Sequence, residues 1–222
     1  MNRRIITTGD GSKTIHLEEW DEQYHSKHGA IQEAYHVFIK NGLFELETEN
    51  VAILEIGFGT GLNALITYSE AEKISKSIRY TGVEAYPVVP EEWGQMGYVS
   101  QLEGQNLQKV FEQLHTSKWE TPTPIGERFL LLKQQKYFKD VSETNLFNLI
   151  YFDAFGARVQ PELWTEQIFG QMFRALKKGG ILVTYSAKGS VRRAMQSVGF
   201  VVERLPGPPG KREMLRARKP IE

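Results

Sequence analysis

Residues 51–63 read VAILEIGFGTGLN, and the fold is decided by how this stretch is parsed. A run of β-branched and apolar residues ends in Glu55. A glycine loop follows at Gly57, Gly59 and Gly61, and helix-forming residues begin near Leu62. Strand, tight glycine turn and helix start together predict a nucleotide-binding corner. Glycine permits positive φ and lets a ligand approach the main chain closely. The spacing is G-x-G-x-G. It is neither the dinucleotide G-x-G-x-x-G nor a phosphate loop, because no lysine follows the last glycine. An acid one position before the first x-G pair suits a ligand with a positive end.

Outward from this corner, strand-like and helix-like segments alternate. Strands are expected at 51–56, 78–84, 127–133, 147–153 and 179–186, with helices at 61–71, 104–115, 161–177 and 190–198. Leu163, Trp164, Ile168, Met172, Phe173 and Leu176 fall on one apolar stripe at helical spacing, which is a packing face. Repeated βα units predict an α/β protein with a doubly wound, mostly parallel, Rossmann-like sheet. GFVVERL and REMLRARK flank Pro206-Gly207-Pro208-Pro209-Gly210 and read as a terminal antiparallel hairpin. Upstream, 3–8 and 13–17 read as short strands around Gly9-Asp10-Gly11-Ser12, since Asp-Gly favours a tight hairpin turn. Ile31, Ala34, Tyr35, Phe38 and Ile39 then recur at helical spacing up to Asn41-Gly42, a C-cap signal. Residues 1–48 are thus expected to form a small N-terminal hairpin and helix packed on the core, and 49–222 the main domain.

Ligands of such sheets sit at the carboxyl ends of the strands, where strand order reverses. Three acids fall at three expected strand ends: Glu55, Glu84 and Asp153. Glu55 can face a ligand's amino group, directly or through water. Glu84 can accept two ribose hydroxyls, because an ionised carboxylate is an acceptor with two oxygens. E-x-G-x-G-x-G resembles the signature of class I methyltransferases that use S-adenosylmethionine. In that family the fourth strand's end faces the methyl group and its acceptor. Asp153 there can hold an amine and take its proton; the alternative is a helix N-cap or loop acid. Phe155 can stack on a planar base or serve as a packing residue.

Composition narrows the rest. The chain has 222 residues, no cysteine and a formal net charge of zero. A disulfide scaffold, a thiolate nucleophile and a cysteine-ligated zinc site are excluded. The region 188–219 is locally basic, with Lys188, Arg192, Arg193, Lys211 and Arg212 among its cations, and fits either a phosphate-binding face or a solvated surface. His16, His25, His28, His36 and His115 show no metal-ligand spacing, so no metal is expected. No apolar run approaches the length of a membrane span, and the first residues lack a signal-peptide core, so a cytoplasmic enzyme is the default expectation.

Longer blocks make the resemblance specific. They are Y-H-S-x-x-G-A-x-x-E-A-x-x-V-F at 24–38, LEIGFGTGLN at 54–63, VEAYP at 83–87 and FDAFGARVQPELWT at 152–165. TYSAKGSVRRAMQSVGF at 184–200 and PGPPGKREML at 206–215 complete them. Together they resemble the methyltransferase domain of the bifunctional enzyme that makes 5-methylaminomethyl-2-thiouridine at the tRNA wobble position. The resemblance implies N-methylation of a 5-aminomethyl group on wobble uridine. It implies that Gly57, Phe58, Gly59, Thr60, Gly61 and Asn63 hold S-adenosyl-L-methionine together with Glu55, Glu84 and Asp153. Asp153 and Phe155 would be catalytic. Lys188, Arg192, Arg193, Lys211 and Arg212 would lie along the tRNA anticodon stem-loop, and a separate enzyme would supply the aminomethyl uridine. Two departures stand out. The sequence ends at Glu222, which fits the stand-alone form without the FAD-dependent oxidoreductase domain. The usual acid after the third strand is missing, leaving Gln134, Gln135 or Asp140 to meet the adenine. A small-molecule or protein amine is the alternative acceptor, and a non-catalytic RNA-binding module the alternative role.

Overall fold

A computed structural model of the protein describes residues 3–221. The order is β1 (Arg3–Thr7), β2 (Lys13–Leu17), β3 (Glu22–Gln23), α1 (Ala30–Ala34), β4 (Asn50–Ile56), α2 (Leu62–Lys73), β5 (Ser77–Val83), α3 (Pro90–Trp93) and α4 (Leu107–Thr116). β6 (Thr123–Pro124), β7 (Phe129–Gln134), β8 (Phe147–Phe152), α5 (Glu166–Ala175), β9 (Leu176–Thr184), α6 (Gly189–Ser197), β10 (Val201–Pro206) and β11 (Glu213–Arg218) follow. The main sheet has the order β10-β11-β9-β8-β4-β5-β7-β6. β9, β8, β4, β5 and β7 are mutually parallel; β11, β10 and β6 run antiparallel to their neighbours. From β4 the chain steps to β5 on one side and later to β8 on the other. The switch point therefore lies beside the carboxyl end of β4.

Strand residues alternate between the two faces, as the pleat requires. Ile53, Leu149, Tyr151, Ile181 and Val183 pack under α1, α2 and α4. Leu54, Ile56, Ile150, Phe152 and Leu182 pack under α5 and α6. The glycine loop is locked onto this frame by backbone pairing: the Gly57 and Phe58 amides donate to the Val83 carbonyl at 3.0 and 3.1 Å. Gly57, Gly59 and Gly61 all have positive φ, at 93°, 49° and 72°. At Gly57 a side chain is excluded twice, since a Cβ would also lie 2.7 Å from the Asp153 carbonyl oxygen.

Two expected helices differ. The helix over 161–177 is broken in two: Pro161–Trp164 is a 3₁₀ turn, and α5 starts at Glu166. Thr165 is the cause, with extended ψ of 162° and a hydroxyl that caps the Ile168 amide. At the far end Leu176 is the first residue of β9 and pairs with Phe147. Lys177–Gly180 then bulges before Ile181 pairs with Leu149. Downstream of α1, Tyr35–Lys40 widens into π-helical turns. Gly42 is not the left-handed cap its sequence suggests, having φ of −121°.

The N-terminal strands form their own sheet, β1-β2-β3, closed by the expected Asp-Gly turn. Ile15, Leu17, Ala30 and Ile31 of this unit belong to the same buried cluster as Ile53 and Leu65. The unit is thus seated on the main core. The terminal hairpin pairs from Val201↔Arg218 to Pro206↔Glu213. Its tip meets the N-terminal unit, where the His36 ring nitrogen binds the Pro206 carbonyl at 2.8 Å.

Candidate active site

A cavity of about 1140 Å³ opens at the carboxyl ends of β4, β5 and β8. The glycine loop, Glu84, Asp153, the N-terminal unit and the hairpin tip enclose it. The loop residues Gly57, Phe58, Gly59 and Thr60 line it, as does Asn63. Phe58 contributes main chain, since its ring is buried against Gly82, His115 and Trp119. Thr60 also points inward and shares a hydrogen bond of 2.9 Å with the Tyr98 hydroxyl. His115 braces the loop from behind: Nε2 lies 3.1 Å from the Thr60 carbonyl, while its ring stacks on Trp93. Lys133, almost fully buried, donates to the His115 carbonyl at 2.6 Å and lies 4.8 Å from the Trp119 ring centre. Burial lowers the Lys133 ammonium to about 8.

Glu84 sits at the end of β5 and lines the cavity. Its two oxygens accept the Gly59 and Tyr86 amides at 3.1 and 2.9 Å. Each carboxylate oxygen has a second lone pair, so both remain able to accept a hydroxyl. The three acids do not share one environment. Glu55 is 1% exposed and is not among the cavity-lining residues. Asp153 lines the cavity. Between them lies Asn63, whose Nδ2 donates to Glu55 Oε1 and to Asp153 Oδ2, both at 2.9 Å. Burial, aided by the Glu33 charge, raises the Asp153 carboxyl from 3.8 to about 7, against the opposing Asn63 hydrogen bond and Lys211 charge. Burial holds Glu55 well above its ordinary value.

Beyond Asp153 the cavity wall is aromatic. Phe155 meets the edges of Trp20 and Tyr24, with centroids 5.8 and 5.0 Å away. Its carbonyl accepts the Trp164 indole N–H at 2.7 Å, and Tyr185 donates to the Ala154 carbonyl at 2.8 Å. These two bonds fix the segment after β8. His25 and His28 also line the cavity. His25 is tied to Thr14 at 3.1 Å, and burial lowers its imidazolium to about 4, so it is neutral near pH 7.

Of the five cations expected on an RNA face, Lys211 is in the cavity wall. Its ammonium pairs with Glu33 at 2.5 Å and lies 4.0 Å from the Tyr185 ring centre. Lys188, Arg193 and Arg212 are exposed and Arg192 is half-buried, all four outside the cavity lining. Gln134, Gln135 and Asp140 do not line the cavity either; Tyr86, Tyr137 and Phe138 stand there instead. Trp20, Tyr24, Glu33 and Tyr185 were not singled out by sequence as site residues. Only Tyr185, just past the end of β9, could have been found by the strand-end rule. Among the described residues no group of three or more candidate ligands could hold a metal. Among the same residues no helix is long and apolar enough to cross a membrane.

S-adenosyl-L-methionine fits what is present. Gly59 carries positive φ, and a Cβ there would press on the Tyr24 ring at 3.1 Å. A bare backbone therefore forms the cradle, with an acceptor-only carboxylate beside it at Glu84 and the start of α2 behind.

Comparison with known proteins agrees. The chain is 30% identical over 230 residues to the tRNA 5-methylaminomethyl-2-thiouridine biosynthesis bifunctional protein MnmC of Aromatoleum aromaticum, covering 97% of this chain and 35% of that protein. It is 31% identical to the same-named protein of Cupriavidus metallidurans, over 96% of this chain and 33% of that one. The chain thus spans about a third of the length of these relatives. In fold it is similar to MNMC2 from Aquifex aeolicus, with a TM-score of 0.77 at 24% identity over 100% of this chain and 71% of that one. It is also similar in fold to spermidine synthase from Thermotoga maritima, with a TM-score of 0.61 at 14% identity over 99% and 70%. Residues 106–220, which include Asp153, the Tyr185 wall and the hairpin, match the family model described as S-adenosyl-L-methionine-dependent methyltransferase. A glycine-loop corner, a switch-point cavity and this match converge, and the chain belongs to the S-adenosyl-L-methionine-dependent methyltransferase family.

Proposed function

We propose that the chain methylates the primary amine of a 5-aminomethyl group on wobble uridine in tRNA. The observation that carries the reading is Asp153, held at the end of β8 inside an aromatic-walled cavity next to the glycine loop. The names of its relatives support the choice of acceptor. Gly57, Gly59 and Glu84 would hold the cofactor, Glu84 by its ribose. Bound there, S-adenosyl-L-methionine supplies an electrophilic methyl group. Asp153 binds the acceptor nitrogen and takes one proton from it if the amine arrives as an ammonium, freeing the lone pair. A carboxyl near 7 is matched to that exchange at neutral pH. Phe155, flanked edge-on by Trp20 and Tyr24, offers the planar uracil a wall. The segment after β8 is fixed by the Trp164 and Tyr185 bonds, so positioning supplies much of the rate. Lys188, Arg192, Arg193 and Arg212 provide the surface for tRNA phosphates. Lys211 is committed to Glu33 and serves the cavity wall instead.

The test incubates the protein with labelled S-adenosyl-L-methionine and tRNA carrying 5-aminomethyl-2-thiouridine, followed by digestion to nucleosides. Label in the 5-methylaminomethyl nucleoside is the expected result. Cofactor binding without label in that nucleoside would move the acceptor to a small-molecule or protein amine.

A further inference from the structure

We propose that Glu55 is a positioning residue for Asp153, acting through the Asn63 amide, and is not a ligand of the cofactor. The inference rests on reading Asp153 as the carboxyl that faces the acceptor amine. Glu55 is shut off from the cavity by position: it lies on β4 opposite Tyr151 and Gly82, under the first turn of α2. Both hydrogens of the Asn63 amide are used, one on Glu55 Oε1 and one on Asp153 Oδ2. Asn63 Oδ1 is buried with no partner. The amide is therefore oriented by its two carboxyl acceptors alone, and the reverse orientation would press its oxygen against both. Without Glu55, nothing on the core side fixes the nitrogen that holds Asp153.

The second Glu55 oxygen argues the same way. Oε2 is buried and has no partner at hydrogen-bonding geometry; nor has the buried Tyr80 hydroxyl, the side chain it interacts with. An ionised carboxylate left so would be costly, the more so one amide away from Asp153. Burial, aided by the Asp153 charge, pushes Glu55 toward the protonated form, against the opposing pull of the Asn63 and Tyr80 donors. An uncharged, enclosed acid has no ionic attraction to offer a cofactor's amino group. Glutamine at this position keeps an acceptor for Asn63 and a donor for Tyr80. Methionine fills the space and offers neither.

Calorimetric titrations of S-adenosylhomocysteine, and of its analogue lacking the α-amino group, are made into wild type, Glu55→Gln and Glu55→Met. Thermal melting confirms folding, and single-turnover methyl transfer to the aminomethyl-uridine tRNA follows. Both variants are expected to bind S-adenosylhomocysteine within threefold of wild type, with the same penalty for the missing amino group in all three proteins. Glu55→Met is expected to transfer methyl at least tenfold more slowly, and Glu55→Gln to recover to within threefold. Tenfold weaker S-adenosylhomocysteine binding by Glu55→Gln, with the deamino analogue unaffected, would make Glu55 the amino ligand and overturn the proposal. Wild-type turnover in Glu55→Met would overturn it as well. A wild-type protein that fails to methylate that tRNA defeats the acceptor assignment and Asp153's role with it. The binding arm then still decides whether Glu55 touches the cofactor.

Discussion

Replacing Asp153 with asparagine should stabilise the protein, by an amount that grows as pH rises from 4 to 7. The side chain keeps its size and an oxygen for the Asn63 donor, but loses its charge. In the folded chain burial raises the Asp153 carboxyl from 3.8 to about 7. Between those values the unfolded chain has released the proton that the folded chain retains, so wild-type stability falls as pH rises through this window and levels off above it. The full displacement corresponds to about 4 kcal/mol on the ionised form, and relaxation of the site brings the expected gain to roughly 2–4 kcal/mol above pH 7. For a domain of this size that is a rise in Tm of roughly 4–16 °C. Below pH 4 the two proteins should melt together. Urea titrations from pH 4 to 8.5 measure the difference directly. A difference that stays flat with pH, or that favours wild type at pH 8, would refute the placement of Asp153 in a desolvating pocket. The same variant should lose methyl transfer by at least a hundredfold while binding S-adenosylhomocysteine within threefold.

Three further perturbations follow from the geometry. Gly57→Ala combines a φ of 93° with a Cβ 2.7 Å from the Asp153 carbonyl; it should cost about 2 kcal/mol or more in denaturant titrations and weaken cofactor binding at least tenfold. Lys133→Met removes an ammonium lowered from 10.5 to about 8 by burial. The unfolded chain holds that proton to higher pH than the folded one, so wild type should gain up to about 3 kcal/mol relative to the variant between pH 8 and 10.5, read by calorimetry at several pH values. The double change Arg192→Ala, Arg193→Ala should weaken tRNA binding and make its dependence on log salt shallower by roughly 1–2; an unaltered slope places the phosphate path elsewhere.

The parallel sheet was legible because each strand carried an apolar run and the turns after β4, β5 and β8 a glycine or an acid. Pattern failed where tertiary contacts overrule local preference. Thr165 caps α5 inside a stripe that reads as unbroken, and Leu176 keeps its buried position while changing from helix to strand. At the site, Asp153 and Glu84 stand on the cavity wall because strand ends point there in any doubly wound sheet. The burial of Glu55 had no signature, since an acid before a glycine loop reads the same whether its side chain enters the cavity or the core. Trp20, Tyr24 and Glu33 reach the cavity only because the N-terminal unit docks over it, a long-range arrangement without a period. Lys211 looked like one more cation in a basic run, and its partner lies in α1, far away in sequence.

The cavity draws on side chains from Arg3 to Lys211, the first contributed by β1 and the last by the hairpin tip. During synthesis the parallel strands can pair in order as they emerge, yet no complete pocket exists until the hairpin leaves the ribosome and meets α1. Closing that span is a high-contact-order event, so it belongs among the last and slowest steps of folding. Cofactor affinity appearing on a nascent chain would then report the end of folding, after the parallel strands had already paired.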